Sequence, residues 1–348
     1  MKRILVTGAA GYLGSHTCLN LVENGYEVYA IDSLTNCYVE SIKTINSFFK
    51  EKFHQKIKFI KLDLRHYDEF ENFFENLYCQ NIRFDGVIHF AGLKSVANSI
   101  NYPLLYWENN LYSSLNLLKL MSKFEVDSLV FSSSATVYSQ INKSPLSENS
   151  ALGPINPYGE TKLAIEKILN QYLTSTKKNF KVASLRYFNP IGAHPSSLIG
   201  ECSKEEPNNI FPLLCDVAYG DRPEFKVFGN DWPTKDGTCI RDYIHVMDLA
   251  DAHLKALNYL SQINNEHVVL NLGTGKGTSV LELLNTFQEV NNVKINYTFV
   301  ERRKGDMPEV FADPNLASKT INWYAKRELK EMCIDGWNWK KKNPNGFI

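Results

Sequence analysis

Residues 8–14 constrain the fold more than any other stretch of this chain. Gly8, Gly11 and Gly14 stand at three-residue intervals in Gly8-Ala9-Ala10-Gly11-Tyr12-Leu13-Gly14. The β-branched-rich run Lys2 to Thr7 precedes them and reads as a buried strand. Ser15 to Asn24 follows, with apolar residues at 18, 19 and 22 and Gly25 as a stop, and reads as a helix. Tyr26 to Asp32 reads as a second strand, which completes a βαβ unit. A tight turn between strand and helix brings backbone N–H groups and the positive end of a helix to one point, and a Cβ in the wrong place blocks the approach. That arrangement suits a pyrophosphate and predicts dinucleotide binding. Asp32 ends the second strand, 18 residues after Gly14. A carboxylate there accepts hydrogen bonds from a ribose 2′-hydroxyl and repels a 2′-phosphate, so NAD is expected rather than NADP. The spacing G-x-x-G-x-x-G differs from the G-x-G-x-x-G of ordinary dehydrogenases and points to one branch of the fold.

The alternation continues beyond this unit. Lys58–Leu62 reads as a strand, Tyr67–Tyr78 as a helix, and Gly86–Gly92 as a strand ending in a small-residue turn. Leu104–Met121 reads as a long helix, Ser128–Ser132 as a strand, Pro157 to Thr174 as a helix, and Lys181–Tyr187 as another strand. Strands alternating with helices predict an α/β fold: a Rossmann-type doubly wound parallel sheet covered on both faces. After Asn189-Pro190, Pro, Gly and Asn become frequent and the alternation is lost. The expectation is an NAD-binding domain at 1–189 and a smaller, mixed α/β, loop-rich substrate-binding lobe at 190–348, some segments after 240 packing back on the first.

The 348 residues carry 38 Lys+Arg against 38 Asp+Glu. A balanced charge disfavours nucleic acid as the main partner, which requires a cationic surplus. With 44% hydrophobic and 22% charged residues, the chain has enough apolar material for a large core. No run approaches 18 apolar residues, so no membrane span is expected. Met1-Lys2-Arg3 leads directly into the glycine segment without the apolar block of a signal peptide. The seven cysteines are scattered and never form C-x-x-C, which reads as free thiols in a reducing, cytoplasmic compartment with no zinc site.

Tyr158-Gly159-Glu160-Thr161-Lys162 sets a tyrosine and a lysine at i and i+4, on one helix face. A free tyrosine, with pKa about 10, is a poor base at neutral pH. A nearby ammonium and a positive nicotinamide both favour the phenolate, which makes Tyr158 a general-base candidate. An isolated Tyr-x-x-x-Lys is more simply a packed aromatic beside a solvated lysine. Two features shift that balance. Phe131-Ser132-Ser133-Ser134-Ala135-Thr136-Val137-Tyr138 lies at the C-terminal end of a predicted strand, where open α/β sheets bind ligands. Asn156-Pro157-Tyr158 starts the helix with proline in its first turn. Other signals are weaker. Asn271 to Thr278 only approximates a P-loop, because Gly277 follows Lys276, and reads as a strand-to-helix turn. His245 and His253, eight apart on a predicted helix, suit packing or capping better than metal binding.

Taken together, VTGAAGYLGSHT, HFAGLKSV, FSSSATVY, PYGETK, RYFNPIGAHP, FGNDWPTKDGTCIRDYIHVMDLADAH, NLGTGKGTSV and RRKGDMPE resemble the UDP-glucose 4-epimerases, a branch of the extended short-chain dehydrogenase/reductases. The resemblance runs from the first residue to the last tryptophan-rich helix. It implies tightly held NAD, Tyr158 as general base at the sugar 4-hydroxyl, Lys162 on the nicotinamide ribose and depressing the Tyr158 pKa, and Ser134 as proton relay. It implies that Gly8, Gly11, Gly14, Tyr12 and Leu13 line the pyrophosphate, Asp32 and Asn36 face the adenosine ribose, and Asp63 and Leu64 flank the adenine. Phe90, Ala91, Gly92 and Lys94 would run along the cofactor, with Asn109 and Phe188 completing its pocket. Asn189, Asn209, Arg241, Arg303 and Asp306 match residues that hold UDP and its sugar. The guanidinium forks suit diphosphate oxygens, although on spacing alone both arginines read as solvated surface charges.

The chain departs from the family pattern in places. Ala9-Ala10 and Ser139 replace residues that are often Gly or Ser, a sterically tolerable change. Val310 stands where relatives carry either a bulky aromatic, which excludes N-acetylated sugars, or a small residue, which admits them. Turnover of UDP-N-acetylglucosamine and UDP-N-acetylgalactosamine is therefore an expectation, against the plainer reading of Val310 as loop packing. A 4,6-dehydratase or a decarboxylase on the same fold is the nearest rival. Dehydratases place an Asp-Glu pair where Ala135 and Thr136 stand here. A non-catalytic NAD-sensing regulator would commonly lose the Tyr158/Lys162 pair. Leu111, Leu115, Leu118, Ile165 and Leu169 put apolar residues on more than one face of two helices, which core burial alone would explain. The resemblance implies a homodimer through these helices as a four-helix bundle.

Overall fold

In the computed structural model, which describes residues 1–48, 57–175, 179–303 and 305–347, the βαβ reading of the N-terminus extends into a parallel sheet. Up to residue 187 the chain supplies β1 (Arg3–Thr7), β2 (Glu27–Asp32), β3 (Lys58–Lys61), β4 (Gly86–His89), β5 (Ser128–Ser134) and β6 (Lys181–Tyr187). The second half supplies β7 (Asn189–Ile191), β8 (Phe225–Phe228), β9 (Ile240–Arg241), β10 (Tyr243–His245), β11 (His267–Leu272), β12 (Thr278–Ser279), β13 (Tyr297–Val300) and β14 (Glu309–Val310). The main sheet has the order β11-β6-β5-β4-β1-β2-β3, every pairing parallel. All residues of β4 and β5 are buried, as strands covered on both faces must be. The chain winds outward from β1 in one direction through β2 and β3, and in the other from β4. The reversal between β1 and β4 opens a crevice at their carboxyl ends, where such sheets bind ligands.

The helices are α1 (Tyr12–Glu23), α2 (Glu40–Phe48), α3 (Tyr67–Cys79), α4 (Val96–Asn101), α5 (Pro103–Lys123), α6 (Pro157–Ser175), α7 (Ile210–Tyr219), α8 (Val246–Leu260), α9 (Val280–Asn291), α10 (Asn315–Ile321) and α11 (Leu329–Lys342). Leu19 and Leu21 of α1, Leu249 and Ala252 of α8, Ala317 of α10 and Trp323 fill one face of the sheet. Phe70 and Phe74 of α3, Leu117 and Leu120 of α5, and Ile165 and Leu169 of α6 fill the other. Phe211, Leu283, Phe287 and Trp337, from α7, α9 and α11, form a separate core.

Several boundaries differ from the sequence reading. Helix α1 starts at Tyr12, three residues earlier than Ser15, because Gly11 takes the N-cap position. Strand β5 continues through Ser134, since the serines keep register with Leu185, Arg186 and Tyr187 of β6. Strand β4 stops at His89, and Gly92 turns the chain with φ +157°. Beyond residue 240 the chain is not loop-rich. Helices α8, α9 and α11 are regular, α8 packs against α1, and β11 adds to the edge of the main sheet. Among the described residues, no helix is long and apolar enough to cross a membrane, and no cluster of His, Cys, Asp and Glu could hold a metal ion.

Candidate active site

The glycine loop lies at the β1/β4 reversal. Gly8 has φ +67°, and a Cβ there would stand 2.6 Å from the backbone N of Ala91. A Cβ on Gly14 would meet Gly8 O at 2.2 Å, so the first turn of α1 closes down on the loop only without one. Gly11 caps α1 with no side-chain hydrogen bond, leaving the N–H groups of the first turn to face the crevice. Tyr12 opens α1. Its buried hydroxyl donates to Gly192 O at 2.6 Å and ties the loop to the second lobe. Leu13 is half-buried against the same core. This uncapped helix start, shaped by glycines, fits a pyrophosphate.

Asp32 is buried at the end of β2. It accepts from the N–H groups of Ala10 (3.0 Å) and Leu34 (2.8 Å) and from Cys37 Sγ (3.2 Å), so it shapes the loop as well as offering lone pairs to a ribose. Asn36 accepts from Ser203 Oγ at 2.6 Å and from Glu205 N at 3.0 Å. Asp63 accepts from the Arg65 guanidinium, at 2.7 Å from Nη2 and 3.1 and 3.2 Å from Nε, and from the Arg65 N–H at 3.0 Å, which keeps its carboxyl below the usual range, and Leu64 beside it is buried in the core.

Phe90, Ala91 and Gly92 follow β4 along the crevice, Phe90 N donating to Thr7 O at 3.0 Å. Lys94 Nζ donates to Glu201 Oε1 at 2.9 Å, and Asn209 Nδ2 donates to the same oxygen at 3.1 Å. Glu201 thus joins Lys94, expected along the cofactor, to Asn209, expected at the substrate, which spacing along the sequence did not signal. Asn109 is half-buried on α5. Its neighbour Asn110 is the buried residue, accepting from Leu93 N (2.8 Å) and donating to Thr161 Oγ1 (3.0 Å). That bridge between the crevice turn and α6 was also missed.

Tyr158, Lys162 and Ser134 come together where α6 begins over the end of β5. Lys162 Nζ donates to Ser132 O at 2.7 Å and lies 5.8 Å from the centroid of the Tyr158 ring. Ser134 Oγ accepts from Thr136 N at 3.2 Å, which caps a short 3₁₀ turn at Ala135–Val137. Burial pushes the Tyr158 phenol up to about 12, against a hydrogen bond with Ser134 that lowers it. Burial takes Lys162 down to about 8, opposed by the Glu166 carboxylate. In the protein without ligands, removal of the phenolate from water outweighs the hydrogen bond with Ser134.

Of the residues expected at the substrate, Arg241 and Arg303 share Asp306. Arg303 Nε donates to Oδ2 at 3.0 Å, and Arg241 Nη2 lies 3.5 Å from Oδ1. Two cations against one anion leave a net positive cradle, so neither arginine is an isolated surface charge. Asn189 opens β7, Asn209 caps α7, and Phe188 is buried beside Val137 and Leu163. Val310 pairs in register with Arg241 and packs on that cluster. Lys304 of the same motif lies outside the described residues. His245 is not within α8 but caps it, its Nδ1 accepting from Met247 N at 3.0 Å, while His253 bonds the Tyr187 hydroxyl at 2.5 Å.

Residues 5–335 match the family model described as GDP-mannose 4,6 dehydratase. Over 344 residues the chain is 46% identical to UDP-glucose 4-epimerase of Bacillus subtilis (strain 168), covering 99% of this chain and 98% of that one. The chain belongs to the UDP-glucose 4-epimerase family. Its fold is that of UDP-glucose 4-epimerase from Stenotrophomonas maltophila with bound NAD and formylated UDP-arabinopyranose, with a TM-score of 0.92 at 40% identity over 99% of both chains. UDP-glucose 4-epimerase from Bifidobacterium longum in complex with NAD+ and UDP superposes with a TM-score of 0.91 at 38% identity, over 99% of this chain and 100% of that one. The family resemblance read from the motifs and the Rossmann-type sheet are both borne out.

Proposed function

We propose that this chain interconverts UDP-galactose and UDP-glucose, with NAD retained between turnovers. Tyr158 beside Ser134 and Lys162 at the carboxyl edge of β5, in a chain of the UDP-glucose 4-epimerase family, carries the reading. Tyr158 takes the proton of the sugar 4-hydroxyl through Ser134 and returns it when C4 closes with inverted configuration. Lys162 holds the nicotinamide ribose and supplies positive charge near the phenol. When bound, NAD supplies reversible acceptance of the hydride from C4, so the reaction is redox-neutral. The glycine loop with Tyr12 and Leu13 holds its pyrophosphate, Asp32 and Asn36 its adenosine ribose, and Asp63 and Leu64 its adenine. Phe90, Ala91, Gly92, Lys94, Asn109 and Phe188 line the rest. Asn189, Asn209, Arg241, Arg303 and Asp306 hold UDP and the hexose. Elimination in the manner of a dehydratase is disfavoured, because Ala135 and Thr136 offer no carboxylate. The retained Tyr158/Lys162 pair argues against a purely regulatory NAD sensor. UDP-galactose carrying deuterium at C4 tests the mechanism. The label stays at C4 of the UDP-glucose formed, and its loss to water would exclude return of the same hydrogen.

Val310 supports a second activity. It faces Arg241 in register and is half-buried against the cluster that holds Phe188, where an aromatic side chain would take more of the space. Both UDP-N-acetylhexosamines are therefore expected to turn over. An enzyme active on UDP-galactose and inert on the acetylated pair would confine the substrate to plain hexoses.

A homodimer through α5 and α6 and a cytoplasmic location complete the reading. Leu118, Ile165 and Leu169 are spent in the core, so support for the dimer comes from the exposed Leu104, Leu105 and Tyr112 of α5. Sedimentation velocity tests it. The seven free thiols suit a reducing compartment.

A further inference from the structure

Behind the Tyr158–Lys162–Ser134 group lies an ion pair that the proposed chemistry does not use. Glu166 and Arg186 are both almost wholly buried, their side chains 6% and 4% exposed. Arg186 grips the carboxylate with two bonds, Nε to Oε1 at 3.0 Å and Nη2 to Oε2 at 2.7 Å. Ser133 Oγ donates to Oε1 at 2.5 Å. The guanidinium also donates to the Tyr138 hydroxyl at 3.0 Å, which passes a bond of 2.6 Å to Asn271 Oδ1. A buried ion pair is a poor source of stability, since apolar residues of similar volume commonly replace one at no loss. Its position relative to the reacting groups is more telling. Glu166 stands one helical turn after Lys162 on α6, and each grips a successive serine of β5: Lys162 the carbonyl of Ser132, Glu166 the hydroxyl of Ser133. Successive strand side chains leave on opposite faces, so anchoring Ser133 by its hydroxyl sets how Ser134 is presented.

We propose that the Glu166–Arg186 pair is a positioning unit for catalysis: through Ser133 it fixes β5 against α6, and with it the mutual placement of Tyr158, Lys162 and Ser134. The inference rests on the acid–base reading of those three residues. Glu166 also acts on Lys162 by charge, as the neighbour that opposes the effect of burial on the amine. The other ionisable groups facing the pair are Tyr138, Glu148 and His267, whose Nε2 lies 2.8 Å from Ser184 Oγ.

The test compares the pH dependence of kcat in the NAD-loaded enzyme and three variants. Ser133→Ala removes one bond and no charge, and should lower kcat at least tenfold while leaving KM and the alkaline limb in place, within the range general acid–base catalysis supplies. Glu166→Gln removes the anion beside Lys162, so the amine loses its proton sooner and the alkaline limb moves to lower pH. Glu166→Gln/Arg186→Met removes both charges, keeps the core neutral should the single variant not fold, and should show the reduced kcat with a limb displaced less than in Glu166→Gln. Folded, NAD-loaded variants with unchanged kcat and limbs would overturn the inference. Tyr158→Phe separates the levels: if it retains turnover, the acid–base reading itself fails, whereas an inactive Tyr158→Phe beside three unaltered profiles overturns only the positioning role.

Discussion

Tyr158 shows how a residue legible in sequence can have an illegible environment. Its spacing from Lys162 and its place after Asn156-Pro157 are visible in the chain, but the balance between burial and charge is a property of the packed site. With the phenol held near 12 and the amine near 8, ionisation of Tyr158 in the NAD-free protein is suppressed across the neutral range. An ultraviolet titration of wild type against Tyr158→Phe should show this phenol ionising only in strong alkali. A difference signal near neutral pH in the NAD-free protein would contradict the burial argument. The sign for stability follows. From about pH 10, the ordinary tyrosine value, to about 12, the unfolded chain loses this proton and the folded chain keeps it, so the folded state weakens as pH rises. Lys162 acts oppositely between about pH 8 and 10.5, where the unfolded chain holds more protons. Glu201 and Glu166 had no signal in the sequence, because their meaning lies in partners far along the chain: Lys94 at 107 residues and Ser133 at 33.

Among the elements, β1 was readable as a short β-branched-rich run, and β4 and β6 from their place in the alternation of strands with helices. Helix α9 carried a readable signal that went unused: Ser279 and Glu282 form a capping box at its start. The Gly- and Pro-rich texture before residue 240 masked the regular helices after it. The reading of α5 can be checked by its core. Leu117 is fully buried between α5 and the sheet. Leu117→Ala should cost about 2–5 kcal/mol in urea unfolding, the usual range for such a cavity. A loss below about 0.5 kcal/mol would mean that α5 does not pack on the sheet in this way.

At the scale of the whole molecule, the segment after Gly200 reaches across from the second lobe. Ser203 and Glu205 bond Asn36, Lys204 Nζ donates to Leu34 O at 2.6 Å, and Asn208 donates to Ser95 at 2.7 Å. These contacts, with Glu201 on Lys94, tie the loop after β2 and the turn after β4 to the segment leading into α7. Local pattern could not reveal them, because they depend on how two separately built cores meet. On the proposed function, the cofactor is held through turnover and the sugar nucleotide reaches it from the other lobe. The most direct measurement is a coupled assay of the purified protein with UDP-galactose and no added NAD. UDP-glucose should form at a rate that added NAD does not raise. Absence of product from folded protein, even after NAD is supplied, would contradict the account.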